Sequence, residues 1–148
     1  LYREKFNGDS YISGDLAYRD EEGYFWYVSR SDDVINTAGH LVGPFEVESA
    51  LLEIEEVVDV AVIGVPDPIL HEKIIAFLCL KKGCEWSRTL ELKCRVNISN
   101  KVSTTATPQE YHLVDRIPKN KSGKILRRVL KAWYEGKDPG DLSTMEEA

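Results

Sequence analysis

The chain has 148 residues, 43% of them hydrophobic, enough for one domain or for a small domain plus part of another. Its longest uncharged apolar run, Val60 to Pro66, is far too short to span a bilayer, and no basic start followed by an apolar core marks a secretory leader. A net charge of −6, with the basic residues concentrated near the end of the chain, disfavours nucleic acid and points to a local anion site.

Short strands rich in aromatic and β-branched residues are predicted at Tyr11–Ser13, Leu16–Arg19 and Tyr24–Arg30, the last two joined as a hairpin through Asp20-Glu21-Glu22-Gly23. Ser31-Asp32-Asp33 breaks the pattern with short polar residues that tolerate large backbone changes, and is read as a domain boundary. A second small β pair, Val34–Asn36 and His40–Val42, turns around Gly39. Gly43-Pro44 opens a helix, with proline where its missing N–H costs least, and Phe45, Val47, Ala50, Leu51 and Ile54 follow at mostly helical spacing. Val57–Val65 reads as a buried strand ended by a Pro66-Asp67-Pro68 turn. Ile74–Leu80 is a further strand, and Ser87 caps a helix running to about Val102. Glu110–Val114 is a third strand of this region, and Ile125–Tyr134 a final amphipathic helix stopped by Gly136. The polar tail, Lys137–Ala148, is expected to fray.

The expected fold is therefore α+β: a small C-terminal domain, residues 33–148, whose central mixed or antiparallel sheet of about three strands is flanked by helices, with a short β-hairpin region before it. Residues 1–32 cannot bury a core alone and read as the tail of another, larger unit. The chain begins with Leu1, not Met, and is expected to be a piece of a longer protein. Cys79, Cys84 and Cys94 are odd in number and fit no zinc spacing, so reduced structural thiols in a cytoplasmic protein are expected.

Between Arg116 and Lys131 lie seven basic residues and no acidic one. Within this segment the loop Pro118-Lys119-Asn120-Lys121-Ser122-Gly123-Lys124 connects a strand to a helix. Gly123 permits a tight reversal, and Lys124 is predicted to open the helix, where free N–H groups already favour an anion. Taken alone this is a solvated basic turn; the two-glycine spacing of a phosphate-cradling P-loop is missing. Ser13-Gly14-Asp15 is a turn whose carboxylate either bonds its own backbone or accepts the vicinal hydroxyls of a ribose. Ser29-Arg30-Ser31-Asp32-Asp33 sets a guanidinium beside a flexible acidic pair, alone no more than a surface ion pair. Tyr24, Phe25, Trp26 and Tyr27 are expected to pack an interdomain sheet, Leu130 and Trp133 the core, and His71 and His112 have no evident partner.

In order along the chain stand an SGD turn, the strand Asp20-Glu21-Glu22-Gly23-Tyr24-Phe25-Trp26, the Arg30-Ser31-Asp32-Asp33 hinge, Ala38-Gly39-His40 before Pro44–Leu51, and Pro118–Lys124. Together, from about Tyr11 to Lys131, they resemble the adenylate-forming superfamily of acyl-CoA synthetases, luciferases and peptide-synthetase adenylation domains. Gly43–Leu51 looks most like the medium-chain acyl-CoA synthetases and their bacterial and archaeal relatives.

The resemblance implies an AMP-forming acyl-CoA synthetase using ATP, CoA and Mg²⁺, the metal bound mainly by a large N-terminal domain that partners this one. It implies that Asp15 binds the ribose hydroxyls of ATP with help from Arg30, and that Asp32 is the hinge on which the small domain swings. Lys124 would bridge substrate carboxylate and α-phosphate while acyl-AMP forms. Gly39, with Ala38 and His40, would line the CoA tunnel after rotation, Lys124 and Gly39 serving on opposite faces in alternate half-reactions. A lysine acetyltransferase and deacetylase acting on Lys124 are further implied partners. Ser29 stands where the family usually has glycine. Leu41 stands where many relatives carry an arginine that can contact the adenylate phosphate, which removes that contact but not the lysine. Two alternatives stand beside this reading: an interaction or regulatory module controlled by acetylation of Lys124, and a peptide-synthetase adenylation domain, which predicts a carrier domain after the last helix, where this chain has a short acidic tail.

Overall fold

A computed structural model of the chain describes residues 5–146. Two small ribbons come first: β1 (Phe6–Asn7) with β2 (Ser10–Tyr11), then β3 (Asp15–Arg19) with β4 (Phe25–Arg30), both antiparallel. The predicted hairpin is present, and Asp20 holds its turn. Its carboxylate accepts the Tyr24 N–H at 2.9 Å and the Trp26 indole N–H at 2.7 Å, and the indole bond in particular lowers its pKa.

The main sheet is mixed and has five strands, two more than expected. β5 (Ile35–Thr37) and β6 (His40–Val42), predicted as a separate pair, join it because Thr37 pairs with His71 at the start of β8 (His71–Leu80). β7 (Val57–Asp67) pairs antiparallel with β8 along its whole length, and β9 (Glu110–Leu113) lies parallel to β8 on the other side. The predicted Pro66-Asp67-Pro68 turn starts two residues late. Proline donates no ladder bond, but β7 is an edge strand, where that loss is tolerated. The turn itself is tied by Asp67, whose Oδ1 accepts the N–H groups of Ile69 and Leu70 at 2.9 and 2.8 Å.

Alternation along β7 and β8 sorts the core into two layers. Val60, Val62, Ile74, Ala76 and Leu78 face α1 (Pro44–Leu52) and α2 (Arg88–Lys101), where Val47, Leu51, Leu90, Cys94 and Ile98 meet them. Ala61, Ile63, Val65, Ile75, Phe77 and Cys79 face the other way, onto Leu130 of α3 (Arg127–Glu135) and onto Ile117 in the segment that follows β9. A sheet covered by helices on both faces explains why these strands read as continuous apolar runs. At Gly64 a Cβ would lie 2.9 Å from Ile35 Cγ2, so β5 crosses close over β7 there only because the side chain is a hydrogen.

Ser87 caps α2 as predicted, its hydroxyl accepting the Leu90 N–H at 3.1 Å. Gly136 ends α3 in the left-handed conformation, φ +66°. All three cysteines are free. Trp133 is the exception among the predicted core residues: it is 45% exposed, because the buried stripe of α3 is Val129, Leu130 and Ala132.

Candidate functional site

The segment around Lys124 is a built hairpin whose tip, residues 121–124, is exposed to solvent. Lys119 bridges Ile125, the Asn120 N–H donates to the Lys124 carbonyl at 2.9 Å, and the Gly123 N–H returns to the Asn120 carbonyl at 2.9 Å. The Asn120 side chain closes the turn from within. Its amide oxygen accepts the Ser122 N–H, the Ser122 hydroxyl and the Lys124 N–H at 3.0, 2.7 and 2.9 Å. Gly123 sits at φ +82°, a conformation that a side chain would strain.

Lys124 does not open the helix, contrary to the sequence-based expectation. The hairpin runs on through Ile125, the Leu126 N–H donates to the Pro118 carbonyl at 2.8 Å, and α3 begins only at Arg127. Lys124 is exposed, and its ammonium group has no ion-pair or hydrogen-bond partner among the described residues. The base of the hairpin is fixed to the sheet: Lys119 Nζ lies 2.6 Å from Asp59 Oδ2 at the start of β7.

Four of the seven basic residues of this segment are spoken for within the molecule. Lys119 pairs with Asp59, Arg127 with Glu48 and Asp33, Arg116 with Glu146, and Arg128 donates to tail carbonyls. Among the described residues the ammonium groups of Lys121, Lys124 and Lys131 have no such partner, so the local positive surface is narrower than the sequence implies.

Asp15 and Arg30 are cross-strand partners at the open end of the β3–β4 ribbon. Arg30 Nη1 lies 3.4 Å from Asp15 Oδ1 and donates to the Ser13 carbonyl at 2.9 Å. Gly14 is needed twice over: its φ is +80°, and a Cβ would sit 3.0 Å from the guanidinium that lies across it. Both charged groups remain partly exposed, so the ribbon presents a carboxylate oriented by an arginine. Arg30 Nε also lies 3.5 Å from Asp32, itself highly exposed and bound to nothing else among the described residues. The next residue is gripped: Asp33 is 3.7 Å from Arg127. Asp32 thus separates a segment tied to β3 from a segment tied to α3.

Ala38 and Gly39 form a two-residue turn with both φ values positive, +50° and +80°, the hairpin geometry that matches strand twist. Nothing lies within 4 Å of a Cβ built at Gly39, so its surface is open. The Ala38 N–H donates to Leu70 in the β7–β8 turn at 2.8 Å. His40 and Leu41 are exposed beside it. The Gly39 turn therefore stands at the Asp67 end of β7 and the Lys124 hairpin at its Asp59 end, about 26 Å apart along the strand at ~3.3 Å per residue.

Two features escaped the sequence reading. Glu48 is buried on α1, where its Oε1 accepts the Val62 N–H at 2.9 Å and Arg127 Nη2 at 2.6 Å. Burial pushes this carboxyl up in pKa, and the guanidinium beside it pulls only part of the way back. The signal was present: a glutamate on the same helix face as Pro44, Val47 and Leu51 requires a buried cation. Glu110 on β9 joins Lys73 of β8 at 2.6 Å, His112 Nε2 at 2.9 Å and the Tyr134 hydroxyl of α3 at 3.1 Å, and His112 also stacks on Phe77, so His112 has the partners its sequence context did not reveal.

The Lys73 bond, foremost, and the His112 bond hold the Glu110 carboxyl at about 2 against an ordinary 4.5. A lowered folded value contributes stability above pH 4.5 that is lost as pH falls toward 2. Formally this is worth about 3 kcal/mol, which solvent screening of a carboxylate one-third exposed reduces to about 1 kcal/mol. Urea midpoints of the chain should fall between these pH values, and Glu110→Gln should flatten that fall. An unchanged slope would remove Glu110 as the cause.

Tyr24, Phe25, Trp26 and Tyr27, expected to pack against a sheet, are all more than half exposed, as are Tyr11 and Tyr18. No helix of the described residues is long and apolar enough to cross a membrane. Among them no group of three or more His, Cys, Asp or Glu residues is placed to hold a metal ion.

Residues 46–124 match the model of the AMP-binding enzyme C-terminal domain. The chain is 51% identical over 140 residues to acetyl-coenzyme A synthetase of Bacillus subtilis (strain 168), a match that covers 95% of this chain and 24% of that protein. It is 41% identical over 146 residues to 3-hydroxypropionyl-coenzyme A synthetase of Metallosphaera sedula, covering 99% and 22%. Among solved structures, ATP-bound MatB from Rhodopseudomonas palustris superposes with a TM-score of 0.76 at 30% identity, over 90% of this chain and 26% of that one. An acyl-CoA synthetase from Brucella canis does so with 0.67 at 36%, over 89% and 24%. The chain spans about a quarter of the length of the curated relatives it matches. Over more than half its length, and with the fold just described, the chain belongs to the AMP-binding enzyme C-terminal domain family.

Proposed function

We propose that this chain is the C-terminal part of an AMP-forming acyl-CoA synthetase, which joins ATP and a carboxylate into acyl-AMP and pyrophosphate, then acyl-AMP and CoA into acyl-CoA and AMP. The observation that carries this reading is the free ammonium group of Lys124 on a hairpin fixed by Asn120 and by Lys119–Asp59. A carboxylate attacking a phosphate meets like charge, and a preorganised cation between them relieves the repulsion most at the transition state.

In this reading Asp15, oriented by Arg30, takes the ribose hydroxyls of ATP. Asp32 is the swivel, which its exposure and its position between two anchored segments favour. The open turn Ala38-Gly39-His40 faces the CoA arm after rotation. That the two loops stand at opposite ends of β7 supports their use in alternate half-reactions. Mg²⁺ would supply charge neutralisation to the ATP phosphates, and in this reading it is bound mainly by the large N-terminal domain that partners this chain. That domain is the partner that would cover the exposed aromatic ribbon. The names of the relatives at 41–51% identity favour a short acid such as acetate. Three free thiols suit a cytoplasmic protein. The exposure that serves catalysis also leaves Lys124 open to a lysine acetyltransferase, whose product would lack the charge.

The test is direct. The full-length protein with ATP, acetate and CoA should release pyrophosphate and form acetyl-CoA, whereas residues 1–148 alone should form none. Turnover by the 148-residue chain would overturn the reading.

A further inference from the structure

The tail after α3, expected to fray, is instead part of the Lys124 hairpin. The Lys137 N–H donates to the Ala132 carbonyl at 2.8 Å, and the Arg128 guanidinium reaches across to the carbonyls of Pro139, at 2.7 Å, and Asp141. Asp141 then accepts the Ser143 N–H at 2.9 Å, and the Met145 N–H returns to Leu142 at 2.9 Å, turning the chain back. Residues 144–146 lie antiparallel to residues 119–121: the Lys121 N–H donates to Thr144 at 3.2 Å, and the Glu146 N–H donates to Lys119 at 2.7 Å.

These two bonds flank Asn120 and Met145, which bridge each other as a non-hydrogen-bonded pair, the arrangement that brings side chains closest. Asn120 is the residue whose amide oxygen fixes Ser122 and Lys124. The tail thus adds a third strand on the edge of the hairpin away from Lys124–Leu126. A two-stranded ribbon is marginal in water, whereas a third strand satisfies its edge and restrains it.

We propose that residues 137–146 are a strap that positions Lys124 for adenylate formation, with Arg128 and Met145 as positioning residues. The proposal rests on the role given to Lys124 above. Without the strap the core layers are intact, but the lysine is carried on a bare two-stranded turn.

The test uses the full-length protein with residues 138–148 deleted, and Glu146→Pro, which removes one strap N–H without shortening the chain. Each half-reaction is followed separately, along with amide exchange at residues 121–124 and the melting temperature. Deletion should slow adenylate formation roughly ten- to hundredfold, the scale of a misplaced reacting group, and should release the 121–124 amides. Thioester formation from supplied acyl-AMP should persist. Glu146→Pro should move both readouts the same way by less, and Glu146→Ala, which keeps the N–H, should recover most of the protection. Unchanged adenylation and protection, or equal loss in both half-reactions with a lowered melting temperature, would overturn the strap. Failure of the lysine reading itself is seen in Lys124→Ala alone, whatever the deletion does.

Discussion

Replacing Lys124 by alanine in the full-length protein is expected to lower adenylate formation by roughly 10²–10³-fold, the effect of deleting one preorganised charged contact from a transition state. Conversion of supplied acyl-AMP and CoA to thioester should change little. The asymmetry follows from placement: the lysine stands at the Asp59 end of β7, while the turn proposed to face CoA stands at the Asp67 end. A side chain at one end cannot serve chemistry at the other without reorientation of the whole domain. The melting temperature should stay near that of the parent, because Lys124 is exposed and contributes no packing and no ion pair among the described residues, and such surface positions rarely matter to stability. Arginine should not rescue the activity, since its planar fork does not replace a compact ammonium group on a fixed hairpin. Stopped-flow pyrophosphate release and a separate thioester assay decide the matter. Equal losses in the two half-reactions would end the idea of alternate use, and a fall in melting temperature would recast the lysine as structural.

Where the local signal was strong, the fold was legible in the sequence. The continuous apolar runs of β7 and β8, the Ser87 cap and the Gly136 stop describe local preferences that packing reinforces. What could not be read depended on contacts between distant segments. Thr37 meeting His71 turns a separate β pair into two strands of the main sheet, and nothing within residues 34–42 encodes that meeting. The tail is polar and looks unanchored, because its partners are backbone groups of residues 119–121 and these leave no mark on composition. The site behaved in the same way. Gly39 and Gly123 could be singled out because turns demand particular residues, whereas Lys124 stood out only through the resemblance carried by the whole set of motifs. That Lys124 precedes the helix by a turn could not be read, since it depends on Leu126 donating to Pro118 in place of beginning a helical ladder.

Arg127 is the clearest residue that charge counting misplaced, and its removal should have the largest effect on stability. β7 is an edge strand, and Val62 turns both its N–H and its carbonyl away from β8. Glu48 accepts the first at 2.9 Å, and Arg127 Nε donates to the second at 3.1 Å, so one ion pair closes a sheet edge that would otherwise expose unpaired groups. Glu48 and Arg127 side chains are only 8% and 15% exposed, and Arg127 also holds Asp33, one residue beyond the proposed swivel. Arg127→Ala strands a buried carboxylate and should cost about 3–5 kcal/mol in urea unfolding of the chain. Glu48→Gln keeps an acceptor for Val62 and removes the buried charge, so adding it to Arg127→Ala should restore part of the loss, and the double variant should cost less than the two single changes added together. The pH dependence carries the same sign. Burial already raises the Glu48 carboxyl, and loss of the arginine raises it further. The penalty of Arg127→Ala is therefore present above that raised value and shrinks as pH falls through it. Comparing the variant with the parent between about pH 7 and 5, above the range in which Glu110 titrates, isolates the effect. A cost below about 1 kcal/mol, or one that does not diminish on acidification, would mean that water reaches Glu48 and that the hinge end is held by packing alone.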